Sequence, residues 1–225
     1  MPDLQGFGLQ LLAGAQTTLQ VALISLALGI CMGLIGAFAK LAGNQVFRAI
    51  AGAYTTVIRG VPELLIILIL YFGGTAGLSF LFGGYVEVDA LTAGVSALTI
   101  IFGAYATEVF RSSYLAISQG QLEAASALGL SRLQTLRLVS LPQMWRISLP
   151  AIGNLWLTLL KDTALISIVG LEDVMRKASI AATSTHDPLL FYSVAAGIYL
   201  ALTTISLAFL KTCEIRADRG VQCAG

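Results

Sequence analysis

The sequence predicts an all-α integral membrane protein that crosses the bilayer five times. Of its 225 residues, 57% are hydrophobic and 11% are charged, whereas about 25% of the residues in a soluble domain are charged. Its mean hydropathy is +0.86. Charge-free runs that approach or exceed the ~20 residues of a transmembrane helix recur along the chain. Most basic residues fall in connections on one side of the predicted bundle.

The first crossing is predicted at residues 16–38, inside a longer run without charged side chains. We expect residues 4–15 to form a short interfacial approach to it. Gly29, Gly33 and Gly36 lie on one face of this helix and include a GxxxG spacing. Small residues let two helix backbones approach closely, so this face predicts tight packing against another helix.

The second crossing is predicted at residues 50–82 and the third at 90–112. The second contains Pro62, in a pentad that runs from Arg59 to Glu63. Proline fixes its own backbone and disfavours helix at the residue before it. We therefore expect the helix to break or restart at this pentad, at the membrane edge.

The fourth crossing is predicted at residues 147–170 and the fifth at 189–210. The apolar run 147–160, at 14 residues, is too short to cross alone, so the helix must continue through Lys161 and Asp162. Five crossings place the two termini on opposite sides, and the positive-inside rule puts the N-terminus outside and the C-terminus in the cytoplasm. The basic side holds Lys40, Arg48, Arg59, Arg111, Arg132, Arg137, Arg146, Lys211, Arg216 and Arg219.

A water-facing insert, residues 113–146, separates the third and fourth crossings. Ser118 with Gln121, and Ser131 with Gln134, have the form of capping boxes and predict two short helices. Gly129 is expected to end the first helix and Pro142 to limit the second. The helix pattern alone also fits an ordinary amphipathic helix lying on the membrane.

The spacing inside the insert favours a more specific interpretation. Glu123, Ala124 and Ala125 are followed at fixed distances by Gly129 and by Leu141-Pro142. This string resembles the EAA loop of ATP-binding-cassette importer permeases, with Val139 in place of the usual isoleucine. In those permeases the loop is the coupling loop, and its helix binds the cytoplasmic ATPase.

Beyond the loop, nearly the whole chain is similar to permease subunits of the polar and basic amino acid family, of the histidine, lysine-arginine-ornithine and opine type. The residues that carry this similarity are Arg59-Gly60-Val61-Pro62, Tyr105, Glu108, Phe110, Arg111, Lys161-Asp162-Thr163-Ala164-Leu165 and Gly170-Leu171-Glu172-Asp173-Val174.

The resemblance implies a single transmembrane permease domain over residues 1–225, with the type I ABC importer permease fold, in a bacterial inner membrane. It implies two cytoplasmic ATP-binding subunits, an external solute-binding protein and a second permease subunit, for which a sister protein is favoured over a second copy. It also implies that the cargo is arginine, ornithine, histidine or an opine. ATP and Mg²⁺ would be used by the partner ATPase, since the chain has no GxxxxGK[ST] phosphate loop.

Polar residues inside the fourth crossing are the candidate substrate pathway, because ionisable groups within a membrane usually face a cavity or a bundle interior. Asn154, Thr158 and Asp162 recur every four residues and share one stripe. Lys161 lies about 100° away around the helix. Thr163 belongs to the same motif. The alternative is that Lys161 and Asp162 neutralise each other or groups on neighbouring helices.

Two further pairs are interpreted as structural: Glu108 with Arg111, and Arg59 with Glu63. The single histidine, His186, excludes a multi-histidine metal site, and we expect no metal and no cofactor on this chain. The net charge of +1 gives no sign of a nucleic-acid partner.

Two other classes of protein remain as alternatives to an importer permease. A secondary amino acid carrier working without an ATPase would explain charged residues in the membrane, but it would not explain the EAA spacing. An intramembrane enzyme would require a nucleophile, base or metal set, and the sequence has neither a GxSxG nor an HExxH motif. We therefore predict a transport subunit rather than an enzyme.

Overall fold

The computed structural model describes Leu4 and residues 6–217, and this part of the chain is helical without a β-strand. The predicted all-α class is confirmed. The helices are α1 (Gly8–Ala42), α2 (Gln45–Gly60), α3 (Glu63–Phe82), α4 (Ala90–Leu115), α5 (Gln119–Ala127), α6 (Arg132–Thr135), α7 (Leu141–Ile166), α8 (Val174–Thr185) and α9 (Pro188–Ala217). A π-helical turn, Leu136–Ser140, joins α6 to α7, and a 3₁₀ turn, Ser167–Val169, follows α7.

Five helical stretches of the described chain are long and apolar enough to cross a membrane, and this confirms the predicted number. They are Gly8–Ala42, Glu63–Phe82, Ala90–Leu115, Arg132–Val169 and Pro188–Ala217. The orientation of the termini stays a prediction, because a bundle of helices has the same internal contacts whichever way it is inserted.

Helix α4 lies at the centre of the bundle and packs against α1, α2, α3 and α7. Its closest neighbour is α1, and the contact runs along the predicted glycine face. A Cβ atom at Gly33 would lie 2.6 Å from the Cβ atom of Ala106, and one at Gly29 would lie 2.6 Å from the ring of Phe102. The predicted close packing of this face is therefore confirmed.

The N-terminal part of α1 differs from the expected interfacial approach. Helix α1 is continuous from Gly8, and Leu11 is 1% exposed. Gly14 packs against the backbone of Asp173, at the entry to α8. One face of the segment, with Leu11 and Gly14, packs against α8 and α9, whereas Leu9 and Leu12 on the other face are exposed.

The second predicted crossing, 50–82, holds two helices rather than one. Helix α2 ends at Gly60, and α3 begins after Pro62. The break lies at the predicted pentad, directly before the apolar stretch Glu63–Phe82. Glu63 contacts Tyr105, about 22 Å along α4 from its first residue at 1.5 Å per residue, so the break packs against the side of α4. Its predicted position at the membrane edge stays a prediction.

Pro142 does not limit a helix as predicted. The stretch Arg132–Val169 is helical throughout its 38 residues, and Pro142 lies in the first turn of α7. The π-helical turn stands immediately before this proline. Since proline has no N–H and its ring crowds the carbonyl four residues earlier, a wider turn at this point lets the helix continue.

Beyond the C-terminal end of α7, α8 packs against α1 and α9. Asp173 begins α8 by accepting a hydrogen bond from the backbone N–H of Arg176, at 2.9 Å. Burial raises the pKa of the Asp173 carboxyl to about 6. The apolar side of α8 packs against α1 and α9. The buried members of this cluster are Leu11, Val174, Ala178, Ala181, Ala182, Phe191 and Ala195.

A methyl group at the α1–α4 contact should destabilise the bundle. We expect Gly33→Ala to lower the free energy of unfolding by about 1–3 kcal/mol, because the added Cβ overlaps Ala106. Adding Ala106→Gly should restore most of the loss by returning the space. The matched control is Gly73→Ala, where no atom lies within 4 Å of the added Cβ. Thermal unfolding of the purified protein measures all three, and equal losses at Gly33 and Gly73 would contradict the packing.

Candidate coupling loop and substrate pathway

The insert between α4 and α7 contains two helix starts, and only one of them is capped as predicted. Ser131 and Gln134 form a reciprocal capping box, in which the Ser131 N–H donates to Oε1 of Gln134 at 2.8 Å. Ser118 begins α5 but makes no side-chain cap hydrogen bond, so the first predicted capping box is wrong. This cap begins the helical stretch Arg132–Val169, whose first N–H groups have no partner within the helix.

Gly129 ends α5 in the left-handed conformation that the sequence predicts, with φ at +74°. The N–H of Leu130 donates to the carbonyl of Ala125, and the N–H of Gly129 donates to that of Ser126. These two bonds form a Schellman motif, which satisfies carbonyls that the helix end would otherwise leave free. The turn sets the angle between α5 and α6.

Helix α5 divides the EAA residues between two faces. Ala125 is 3% exposed and faces the bundle, whereas Glu123 and Ala124 are exposed. Leu128 is 80% exposed. Leu141 and Pro142, the end of the EAA string, are also exposed. The outer face of the loop therefore offers a carboxylate beside an apolar surface.

The predicted pathway residues on α7 do not all share one face. Asn154, Thr158 and Lys161 are exposed and Asp162 is half-buried. Thr163 is fully buried and donates a hydrogen bond to the carbonyl of Leu160 at 2.8 Å. Thr163 therefore lies in the packed core and away from the exposed stripe.

Asp162 on α7 interacts electrostatically with Glu63 on α3 and with Tyr105 on α4. From the sequence, Glu63 was interpreted as the structural partner of Arg59, and its interaction with Asp162 was not predicted. The one signal in the sequence that could have linked them is Pro62, because a helix break can bring polar groups to a substrate site between helices.

Arg59 and Glu63 are joined through Tyr105, and no direct ion pair between them occurs in the described residues. The Arg59 guanidinium lies over the Tyr105 ring, 5.4 Å from its centroid. The Tyr105 hydroxyl donates to Oε1 of Glu63 at 3.3 Å. We name Arg59, Glu63, Tyr105 and Asp162 the break cluster.

A second polar cluster ties α1, α2 and α4 together near the end of the bundle predicted to face the cytoplasm. The Lys40 ammonium donates to the Glu108 carboxylate and, at 2.6 Å, to Oγ1 of Thr55. Arg111 is farther from Glu108, at 4.0 Å. The predicted pair of Glu108 with Arg111 is therefore the weaker contact. Sequence reasoning missed Lys40 because the two partners are 68 residues apart.

Among the described residues, no group of three or more histidine, cysteine, aspartate or glutamate side chains is placed to hold a metal ion. The polar clusters that occur combine acidic groups with lysine, arginine, tyrosine or threonine. Their chemistry suits the binding of charged organic groups and the anchoring of helices.

Comparison with known proteins identifies strong similarity over nearly the whole chain. A family model described as "Binding-protein-dependent transport system inner membrane component" matches residues 15–213. The histidine/lysine/arginine/ornithine transport system permease protein HisQ of Salmonella typhimurium is 42% identical over 225 residues, covering 98% of this chain and 99% of the relative. The nopaline transport system permease protein NocQ of Agrobacterium fabrum is 45% identical over 224 residues, covering 96% and 94%.

A solved structure shares both fold and sequence with the chain. It is described as "Crystal structure of an amino acid ABC transporter with histidines", and it superposes with a TM-score of 0.82 at 34% identity. The match covers 92% of this chain and 94% of the other. The predicted importer permease fold is therefore confirmed.

Removing the Glu108 carboxylate should destabilise the bundle. We expect Glu108→Gln to cost about 2 kcal/mol, because the Lys40 ammonium, 12% exposed, loses its counter-charge, and partial exposure of Glu108 limits the loss. The double variant Lys40→Met/Glu108→Gln should recover part of this. Arg111→Gln is the control and should change little. Chemical unfolding of the two single variants, Lys40→Met and Glu108→Gln, and of the double variant measures the coupling. The pairing would be contradicted if the loss of unfolding free energy in the double variant equalled the sum of the two single losses.

Proposed function

The chain belongs to the family of binding-protein-dependent transport system inner membrane components, and from this premise we propose that it carries amino acids with a cationic group, or their opine derivatives. The predicted family resemblance and inner-membrane location are confirmed. A member of this family is a transport subunit and not an enzyme, and ATP hydrolysis belongs to a separate subunit.

The observation that carries the proposed cargo is the approach of two carboxylates in the break cluster. Glu63 on α3 and Asp162 on α7 come from different helices, and each lies in the electrostatic field of the other. Two acidic groups that interact in a medium of low dielectric repel each other, and a cation between them reduces the repulsion. An ammonium, guanidinium or imidazolium group of a substrate would provide that cation.

The relatives support this cargo class. One relative is named for transport of histidine, lysine, arginine and ornithine, and another for transport of nopaline. The exposed stripe of Asn154, Thr158 and Lys161 on α7 adds polar groups next to Asp162. In this proposal Lys161 receives a substrate carboxylate while Asp162 and Glu63 receive the cation. Thr163 holds α7 in the core.

The family implies an ATPase, a solute-binding protein and a second permease as partners. We propose two ATP-binding subunits and a sister permease of different sequence, with no cofactor on this chain. The alternative of a secondary carrier without an ATPase has no support in the family.

The outer face of α5 is the proposed docking surface for the ATPase, with Glu123 and Leu128 as its centre. Movement of this surface would pass through the Schellman turn at Gly129 into the continuous helical stretch Arg132–Val169. That stretch carries Asp162 toward or away from Glu63 on α3. One turn and one helical stretch thus connect the coupling surface on α5 to the cargo site on α7, which suits alternating access.

Charge reversal on the docking surface should uncouple transport. We expect Glu123→Lys to insert and fold normally, because the side chain is exposed, but to weaken ATPase binding by about tenfold or more. The matched control, Gln121→Lys, adds the same side chain at another exposed position of α5. Co-purification of the ATPase and binding-protein-stimulated ATP hydrolysis are the measurements. Wild-type coupling in Glu123→Lys would contradict the docking surface.

Neutralising Asp162 should reduce transport of cationic cargo. We expect Asp162→Asn, which keeps the shape of the side chain, to lower arginine uptake into proteoliposomes by about tenfold, because one of the two carboxylates is lost. The control is Glu214→Gln, which removes a carboxylate near the end of α9. Unchanged arginine uptake in Asp162→Asn, with the complex intact, would remove this residue from the pathway.

A further inference from the structure

Arg59 and Glu63 have the spacing of an ion pair but do not form one. Opposite charges four residues apart pair readily on a continuous helix. Here the break at Val61 and Pro62 places Arg59 in the last turn of α2 and Glu63 in the first turn of α3. A cation at a helix C-terminus and an anion at a helix N-terminus both interact favourably with the helix dipole. Each charge is therefore stabilised by its own helix.

Tyr105 occupies the position between the two charges. Its ring face takes the Arg59 guanidinium, at 5.4 Å from the centroid, and its hydroxyl donates to the Glu63 carboxylate at 3.3 Å. The two contacts use different parts of the Tyr105 side chain. The ring is held from α4, the central helix, and not from α2 or α3, which carry the two charges.

This arrangement leaves Glu63 with a hydrogen bond from Tyr105 but without a direct ion pair with Arg59. Were the guanidinium to reach Glu63, it would neutralise one of the two carboxylates that face a substrate. The arginine side chain is long and flexible enough to cover the distance, since both residues already touch the same tyrosine. The tyrosine is the group that intervenes.

We propose that Tyr105 determines cargo specificity as a positioning residue: it keeps Arg59 away from Glu63 and so preserves the preference of Glu63 and Asp162 for a cationic side chain. The proposal rests on the proposed function, since it presumes a cationic cargo at these carboxylates. Tyr105 acts through Arg59 and needs no contact with the cargo.

The test uses the complete importer, with its ATPase and sister permease, in lipid nanodiscs without the solute-binding protein. The probes are arginine and citrulline, which have nearly the same shape but differ in charge at the end of the side chain. Equilibrium binding of each probe gives an arginine-to-citrulline preference. The variants are Tyr105→Leu, Tyr105→Phe, Arg59→Gln and the double variant Arg59→Gln/Tyr105→Leu.

We expect Tyr105→Leu to lower the preference for arginine by about tenfold, because the released guanidinium pairs with Glu63. The double variant should restore the preference, since the competing cation is gone. Tyr105→Phe keeps the ring under Arg59 and should lie close to the wild type. Tyr54→Leu is the matched control: the Tyr54 hydroxyl donates to the Ile100 carbonyl on α4, at 2.6 Å, so the change also removes a tyrosine contact between α2 and α4.

The rescue separates positioning from a structural role. Loss of preference in Tyr105→Leu without recovery in the double variant, or the same loss in Tyr54→Leu, would overturn the proposal. So would an unchanged preference in Tyr105→Leu. A wild-type importer that binds arginine no better than citrulline would instead overturn the cationic cargo, and failure of the two ideas is thereby distinguished.

Discussion

The close approach of α1 and α4 is the contact on which the rest of the bundle depends. Gly29 and Gly33 bring the α1 backbone against Phe102 and Ala106, with no space for a larger residue. Helix α4 can therefore occupy the centre, and its side chains reach α2, α3 and α7 at fixed depths. In a membrane, where lipid is as apolar as the helix surface, packing of this kind is a principal source of association between helices.

The central position of α4 makes a broken second crossing tolerable. A helix break inside a bilayer leaves backbone groups and nearby charges in a medium that solvates them poorly. Here Tyr105 on α4 contacts the charged residue at each side of the break, and Glu108, also on α4, receives Lys40 from α1. Lys40 also donates to Thr55 on α2. One helix thus anchors both sides of the break.

The stretch from α6 through α7 joins the water-facing loop to the membrane core without interruption. Its π-helical turn accommodates Pro142, and the backbone stays helical past Pro150 as far as Val169. A continuous helical backbone transmits displacement better than a flexible loop does, because its hydrogen bonds must break before it can unfold locally. Within the loop, the Schellman turn at Gly129 sets the angle between α5 and α6. The Schellman turn and the π-helical turn therefore both belong to the connection between α5 and α7.

Sequence patterns alone predicted the membrane class, the five crossings, the family, the glycine face, the Ser131 cap and the left-handed Gly129. These are local properties, since hydropathy, small size and turn chemistry act over a few neighbouring residues. The sequence also located the helix break at Pro62.

Only the tertiary structure decided which distant groups meet. Lys40 with Glu108, and Glu63 with Tyr105 and Asp162, depend on how far each helix is shifted along its neighbour. That shift results from the packing of many side chains along each helix pair. No spacing within one segment encodes it, and for this reason Thr163 was assigned to the pathway although it lies in the core.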